Sequence, residues 1–311
     1  MTSLAPRRLS WDWFWFQHAS ALNLAVARVL VAAQALWILL SRDYPAISGL
    51  PSVFWSRVDP STMWRYLVFP GHPDLERLLL IVTLVTLVGA LVGIYARVCC
   101  AIAGILLYHL APLEGIIWIS TPYVRGLTIP VLALILLSLS RCDDRLSLMT
   151  PGRTREPNAG LAYSWQLRLI QLLMCEIYLF SGWSKIVRTG LDWVSADNIR
   201  RWILYLVQDP EVARFQALGL WIASHPALCL GIAIGALVLE FGFVSVMFSS
   251  TARRWFVPAA LVFHLGIAYA MNLTFVTALL LLIFVNWDWV WLKALKRPAG
   301  APRVPLRAAV P

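Results

Sequence analysis

The residues of this chain best suited to chemistry share one apolar stretch. Gln171, Tyr178 and Lys185 fall at i, i+7 and i+14, which is one face of a helix, and Cys175 and Gly182 lie along the same face. An ammonium group near hydrocarbon depth is costly. It persists by snorkelling to the interface, by pairing, or by serving a function, and function is the default reading. Desolvation disfavours the charged form of a lysine, so a buried one can work as a base near neutral pH. Gly182 and Ser181 leave room for another helix or a flat ligand to come close. Other apolar stretches carry Asn23, Arg28 and Gln34; Tyr108, His109 and Glu114; Glu240; and His264, with Asn272 two turns further on. Each also has a plainer reading. Arg28 could pair structurally with Glu176 or Glu240, and His109 and His264 could each make one interhelical hydrogen bond. Lys185, at the end of its stretch, could snorkel.

The elements that must position these groups are membrane helices. Hydrophobic residues make up 60% of the chain, charged residues 14%, and the mean hydropathy is +0.72; soluble domains carry about 25% charged residues. The fold class expected is all-α: a polytopic integral membrane helical bundle of about eight transmembrane segments with no large soluble domain. The apolar segments run roughly 20–40, 76–95, 98–119, 123–139, 165–186, 226–248, 254–271 and 273–290, the fourth short and interrupted by Pro130. Residues 1–18, with their Trp11–Phe16 aromatic run, read as an interfacial segment rather than a cleavable signal. Residues 19–292 form the transmembrane domain, and 293–311 read as a disordered basic tail. Most of the 26 Lys and Arg residues fall in segments on the side of the N-terminus, which places both termini in the cytoplasm and Lys185 near the outer face. The net charge of +10 is therefore a topology signal and not a nucleic-acid one. The five cysteines have no metal-ligand spacing and read as small buried thiols.

The order of these motifs resembles the vitamin K-dependent γ-carboxylase family and its bacterial HTTM (horizontally transferred transmembrane domain) relatives, over roughly residues 20–290. Leu24-Ala25-Val26-Ala27-Arg28 is similar to that family's opening, and Gly89–Arg97 to the end of its second span. Tyr123-Val124-Arg125-Gly126-Leu127 fits its Tyr-x-x-Gly-Leu. Gly182-Trp183-Ser184-Lys185-Ile186, with Asp192-Trp193-Val194 downstream, is the most specific piece. The resemblance implies that Lys185 is the base that deprotonates a reduced quinone, with Glu240 and His264 as catalytic neighbours that tune or orient it. It implies a lipid-quinone site involving Gln171, Tyr178, Gly182, Tyr123 and Arg28. The cofactor would be a reduced menaquinone or vitamin K-type quinone, with O₂ and CO₂ as co-substrates and no metal. Epoxide formation would generate a strong alkoxide base, and a dry membrane cavity would protect it.

The departures bear on the acceptor. Thr121 stands where the carboxylases have a histidine, and Ser184-Lys185 stands for their paired lysines. The large extramembrane domain that captures peptides in the carboxylases has no counterpart, so peptide glutamate carboxylation by this chain alone is not expected. A separate partner would supply the acceptor, beside membrane lipid and quinone, in a bacterial inner membrane. Two other readings stay open. One is a DoxX-like membrane quinone oxidoreductase component, against which stands the lack of haem, iron–sulfur or flavin motifs. The other is a non-enzymatic lipid-binding or assembly protein.

Overall fold

Capped apolar runs set the helices. The computed structural model describes residues 11–16, 19–41, 43–55, 72–117, 127–149, 162–207 and 216–294. Its helices are α1 (Trp11–Trp15), α2 (Ala21–Leu40), α3 (Tyr44–Ser48), α4 (Ser52–Trp55), α5 (Pro73–Val92), α6 (Ala96–Ile117), α7 (Thr128–Ser138), α8 (Ser164–Thr189), α9 (Ala196–Leu206), α10 (Gln216–Ala223), α11 (Pro226–Gly242), α12 (Ser250–Met271) and α13 (Trp287–Ala294). Serine hydroxyls open three of them: Ser20, Ser195 and Ser249 each accept the amide three residues on, at 3.1–3.2 Å. Pro73 and Pro226 sit in first turns, where no amide is required. Gly93 closes α5 in the left-handed region at φ +81°, and a Cβ there would lie 2.5 Å from Ser147 Cα.

The expectation of a membrane helical bundle holds, but the expected count of eight spans is not reproduced. Among the described residues five helices are long and apolar enough to cross a membrane: α2, α5, the first 18 residues of α6, α11 with its 3₁₀ continuation to Met247, and α12. Three segments take other forms. α7 is a shorter apolar helix. α8 has the length of a span but carries Arg168, Glu176, Lys185 and Arg188. The segment read as 273–290 is a 3₁₀ helix over Val276–Phe284, followed by α13, because apolar content alone does not separate 3₁₀ from α geometry. The N-terminal segment is described only from Trp11; the tail read as disordered from 293 begins within α13, which runs to Ala294, and the rest of it lies outside the described residues.

The helices α2, α5, α6, α7 and α8 pack in sequence around one core that includes Leu24, Val31, Leu87, Leu107, Leu134 and Ile170. α11, α12 and the 3₁₀ segments Phe243–Met247 and Val276–Phe284 complete it. The outward faces of α5, α6 and α12 present Val85, Val88, Ile105, Val262 and Leu265, an apolar surface suited to lipid. Between α8 and α11 the chain builds α9 and α10, whose Ile199, Ile203, Val207 and Ala223 pack on Cys229 and Ala233 of α11 in a second, smaller cluster. The five cysteines are free thiols, with all but half-buried Cys99 buried.

Candidate functional site

The last two turns of α8 carry the site. Lys185 Nζ donates to Ser181 Oγ at 2.9 Å, one turn back on its own helix, and to Glu240 Oε1 of α11. The Ser181 hydroxyl donates to the same carboxylate oxygen at 2.9 Å. Amine, hydroxyl and carboxylate thus form a closed three-membered cluster. Glu240 is buried about 21 Å along α11 from Pro226 at 1.5 Å per residue. Its side chain is 5% exposed and that of Lys185 19%, so the lysine is the member a ligand can reach.

Two features bring these groups together. Gly182 lets α11 close on α8: a Cβ there would lie 3.1 Å from Phe241 Cε2 and 3.2 Å from Glu240 Cβ. The close approach expected at Gly182 is made by a helix, so its space is already occupied. After α8 the chain turns at Gly190, φ +61°, into the 3₁₀ turn Gly190–Trp193, which brings the Trp193 ring to 5.1 Å from Lys185 Nζ. That is cation–π range.

Two turns towards the start of α8, the Tyr178 hydroxyl is hydrogen-bonded to His264 Nε2 of α12 at 2.7 Å. Tyr178 also stacks on Phe243 with ring centroids 4.2 Å apart, and lies within electrostatic reach of Glu240. His264 packs against Phe263 and Phe275. Three buried polar atoms in this region have no hydrogen-bond partner: Glu240 Oε2, His264 Nδ1 and Trp193 Nε1. Buried polar atoms are normally satisfied, so three together are an unusual concentration of unmet bonding capacity.

The structure sorts the sequence-derived candidates. Lys185, Glu240 and Gly182 meet directly, and Tyr178 with His264 forms the adjoining pair. Gln171 lies on the same face, as its spacing implies, but about 21 Å from Lys185 along the helix axis. There its amide donates to Ile283 O at 3.1 Å. Arg28 is buried elsewhere. It pairs with neither Glu176 nor Glu240 and instead donates to the carbonyls of Cys142 (2.8 Å) and Leu146. Tyr123 lies outside the described residues. His109 makes the buried interhelical bond that its plainer reading anticipates, to both carboxylate oxygens of Glu76 at 2.9 and 3.1 Å. Ser181 and Phe243 were missed as site members: the i−4 position of Ser181 relative to Lys185 was a readable signal, whereas the Phe243 stacking was not.

A family model described as the HTTM domain matches residues 16–289. The chain belongs to the HTTM family. No curated protein and no solved structure matches it. The HTTM match spans every element that builds the Lys185 cluster, from α8 through α12, and makes the protein an integral membrane one.

Proposed function

We propose that this HTTM protein is a lipid-quinone-dependent membrane enzyme in which Lys185 accepts a proton from a hydroquinone hydroxyl. The observation that carries the reading is the Lys185–Ser181–Glu240 cluster with unsatisfied Glu240 Oε2, His264 Nδ1 and Trp193 Nε1 around it. These groups have the chemistry to bind a polar, aromatic ligand. The imidazole Nδ1 and the carboxylate can bond ring oxygens, and Trp193 offers a π-face. The resemblance to the vitamin K-dependent carboxylases, read from Gly182–Ile186 and Asp192–Val194, points to the same lysine.

The charged pair is an acid until its proton moves. Transfer from Lys185 Nζ to Glu240 across their hydrogen bond gives a neutral amine beside a carboxylic acid, with no net change in charge. The amine can then accept the hydroxyl proton. That step restores the ammonium beside the new oxyanion and leaves Glu240 protonated; the carboxylate is restored when that proton passes to water. A reduced quinone, when bound, supplies the acidic hydroxyl and, with O₂, the epoxidation chemistry. Ser181 holds the amine and carboxylate in register, and Tyr178 fixes the His264 ring. The acceptor of the resulting base, with CO₂ as a candidate co-substrate, would be presented by a separate partner in a bacterial inner membrane.

The test uses the purified protein in lipid nanodiscs with reduced menaquinone or vitamin K, O₂ and bicarbonate, followed by mass spectrometry for quinone epoxide. Epoxide is expected from the wild type and absent from Lys185→Ala and Lys185→Arg, since arginine pairs but is never a neutral base. No epoxide from the wild type would overturn the reading. The cluster would then be what the tight Gly182 contact also permits, an ion pair that fastens α8 to α11.

A further inference from the structure

One face of α8 points away from the bundle. Leu173, Glu176, Phe180, Trp183 and Val187 follow one another at alternating steps of three and four residues. That is the spacing at which one helix packs along another with a left-handed crossing. Phe180 is 59% exposed, Trp183 58% and Val187 63%; Glu176 is exposed and Leu173 half-buried. Glu176 stands nine residues before Lys185, which at about 100° per residue puts the two on opposite sides of the helix. The outward face is therefore separate from the one that carries Gln171, Tyr178 and Lys185.

The carboxylate is the informative member of this row. Glu176 lies midway along the 26 residues of α8, about 18 Å or more from either helix end. Tyr178, two residues on, stacks on Phe243 and bonds His264. Those two partners belong to Pro226–Met247 and Ser250–Met271, both long and apolar enough to cross a membrane. Glu176 is thus level with the interior of spans, where a short side chain cannot reach water by snorkelling. Among the described residues it makes no hydrogen bond or ion pair. Ionisable residues within spans almost always face the interior of a bundle and are paired. An outward one, set in a row of apolar side chains, marks a face that another helix covers. Apolar side chains gain little by leaving lipid, so the hydrogen bond that Glu176 can make selects the partner. Two copies inserted the same way offer one. A two-fold axis along the membrane normal lays α8 parallel to α8 and sets each residue opposite itself. Two carboxyls that share a proton satisfy each other, because the protonated one donates and the other accepts. A single polar position in an apolar seam also fixes its register.

We infer that the outward face of α8 is the interface of a homodimer, packed through Phe180, Trp183 and Val187 and held in register by the paired Glu176 carboxyls of the two copies. The full chain, with a donor or an acceptor dye on a C-terminal tag, is reconstituted in liposomes at falling protein-to-lipid ratios, and energy transfer gives the dissociation constant. The wild type dimerises. Glu176→Gln keeps the dimer, because an amide also donates and accepts. Glu176→Leu weakens it about threefold to thirtyfold, as for the loss of one interhelical hydrogen bond in a bilayer. Glu176→Lys does not pair with itself but pairs with the wild type, which also shows that the variant is folded. Under mild oxidation Trp183→Cys cross-links the two copies above the wild-type background, and Val85→Cys, on the outward face of α5, does not. A monomer at every density would leave the face to a different protein and overturn the proposal. So would a dimer that Glu176→Leu leaves unchanged, or one that Trp183→Cys fails to cross-link.

Discussion

Replacing Glu240 with glutamine tests the site at its most constrained point. The substitution keeps the shape and one acceptor oxygen but removes the charge that Lys185 faces. Breaking a buried ion pair by removing one partner costs about 3–5 kcal/mol. Here the cost is smaller, because the lysine side chain is 19% exposed, Ser181 Oγ still accepts at 2.9 Å and a glutamine oxygen can still receive Nζ. A loss of about 2–3 kcal/mol follows. Lys185→Met should cost a similar amount, because it leaves the Glu240 carboxylate buried with only the Ser181 hydroxyl. The double variant should cost less than the sum, and the coupling energy should be about 1.5–2.5 kcal/mol. Reversible unfolding by SDS in mixed micelles, monitored by tryptophan fluorescence, measures all four corners of this cycle. A coupling below about 0.5 kcal/mol, the level of independent sites, would mean that the pair is not formed in the folded protein and would refute the geometry on which the proposed chemistry rests.

Three further outcomes are expected. His264→Phe leaves the Tyr178 hydroxyl without its 2.7 Å partner in a buried setting and should lower stability by about 1–3 kcal/mol in the same assay, whereas Tyr178→Phe/His264→Phe should recover part of that loss. Gly182→Leu should destabilise by several times more than Gly182→Ala, at about 1–3 kcal/mol or above, since Phe241 and Glu240 stand 3.1–3.2 Å from the position of a Cβ; equal effects would mean that α8 and α11 are not in contact there. Arg28→Lys should cost about 1.5–3 kcal/mol, because one ammonium cannot reproduce the fork that serves the Cys142 and Leu146 carbonyls; a neutral outcome in thermal unfolding would contradict that role.

The helical stretches were legible because lipid demands apolar length, and the spacing of Gln171, Tyr178 and Lys185 correctly put the three on one buried face. Glu240 and His264 were legible as costly groups in apolar runs, which must find partners. Their pairings were not, since which helix meets which depends on packing that single-sequence periodicity does not encode. Arg28 was misplaced for a related reason. Its partners are backbone carbonyls of a turn, and carbonyls leave no mark in the residue pattern.

The short 3₁₀ segment Phe243–Met247 carries a mechanical consequence. At one end it continues the helix that holds Glu240. At the other, the carbonyls of Val246 and Met247 are gripped by Arg253 and Arg168. A 3₁₀ turn rises about 2.0 Å per residue and an α turn about 1.5 Å, so rewinding these five residues would shorten the strut by about 2.5 Å. The winding of one five-residue strut, held at its far end by two arginines, therefore fixes how far Glu240 stands along the chain from that clamp.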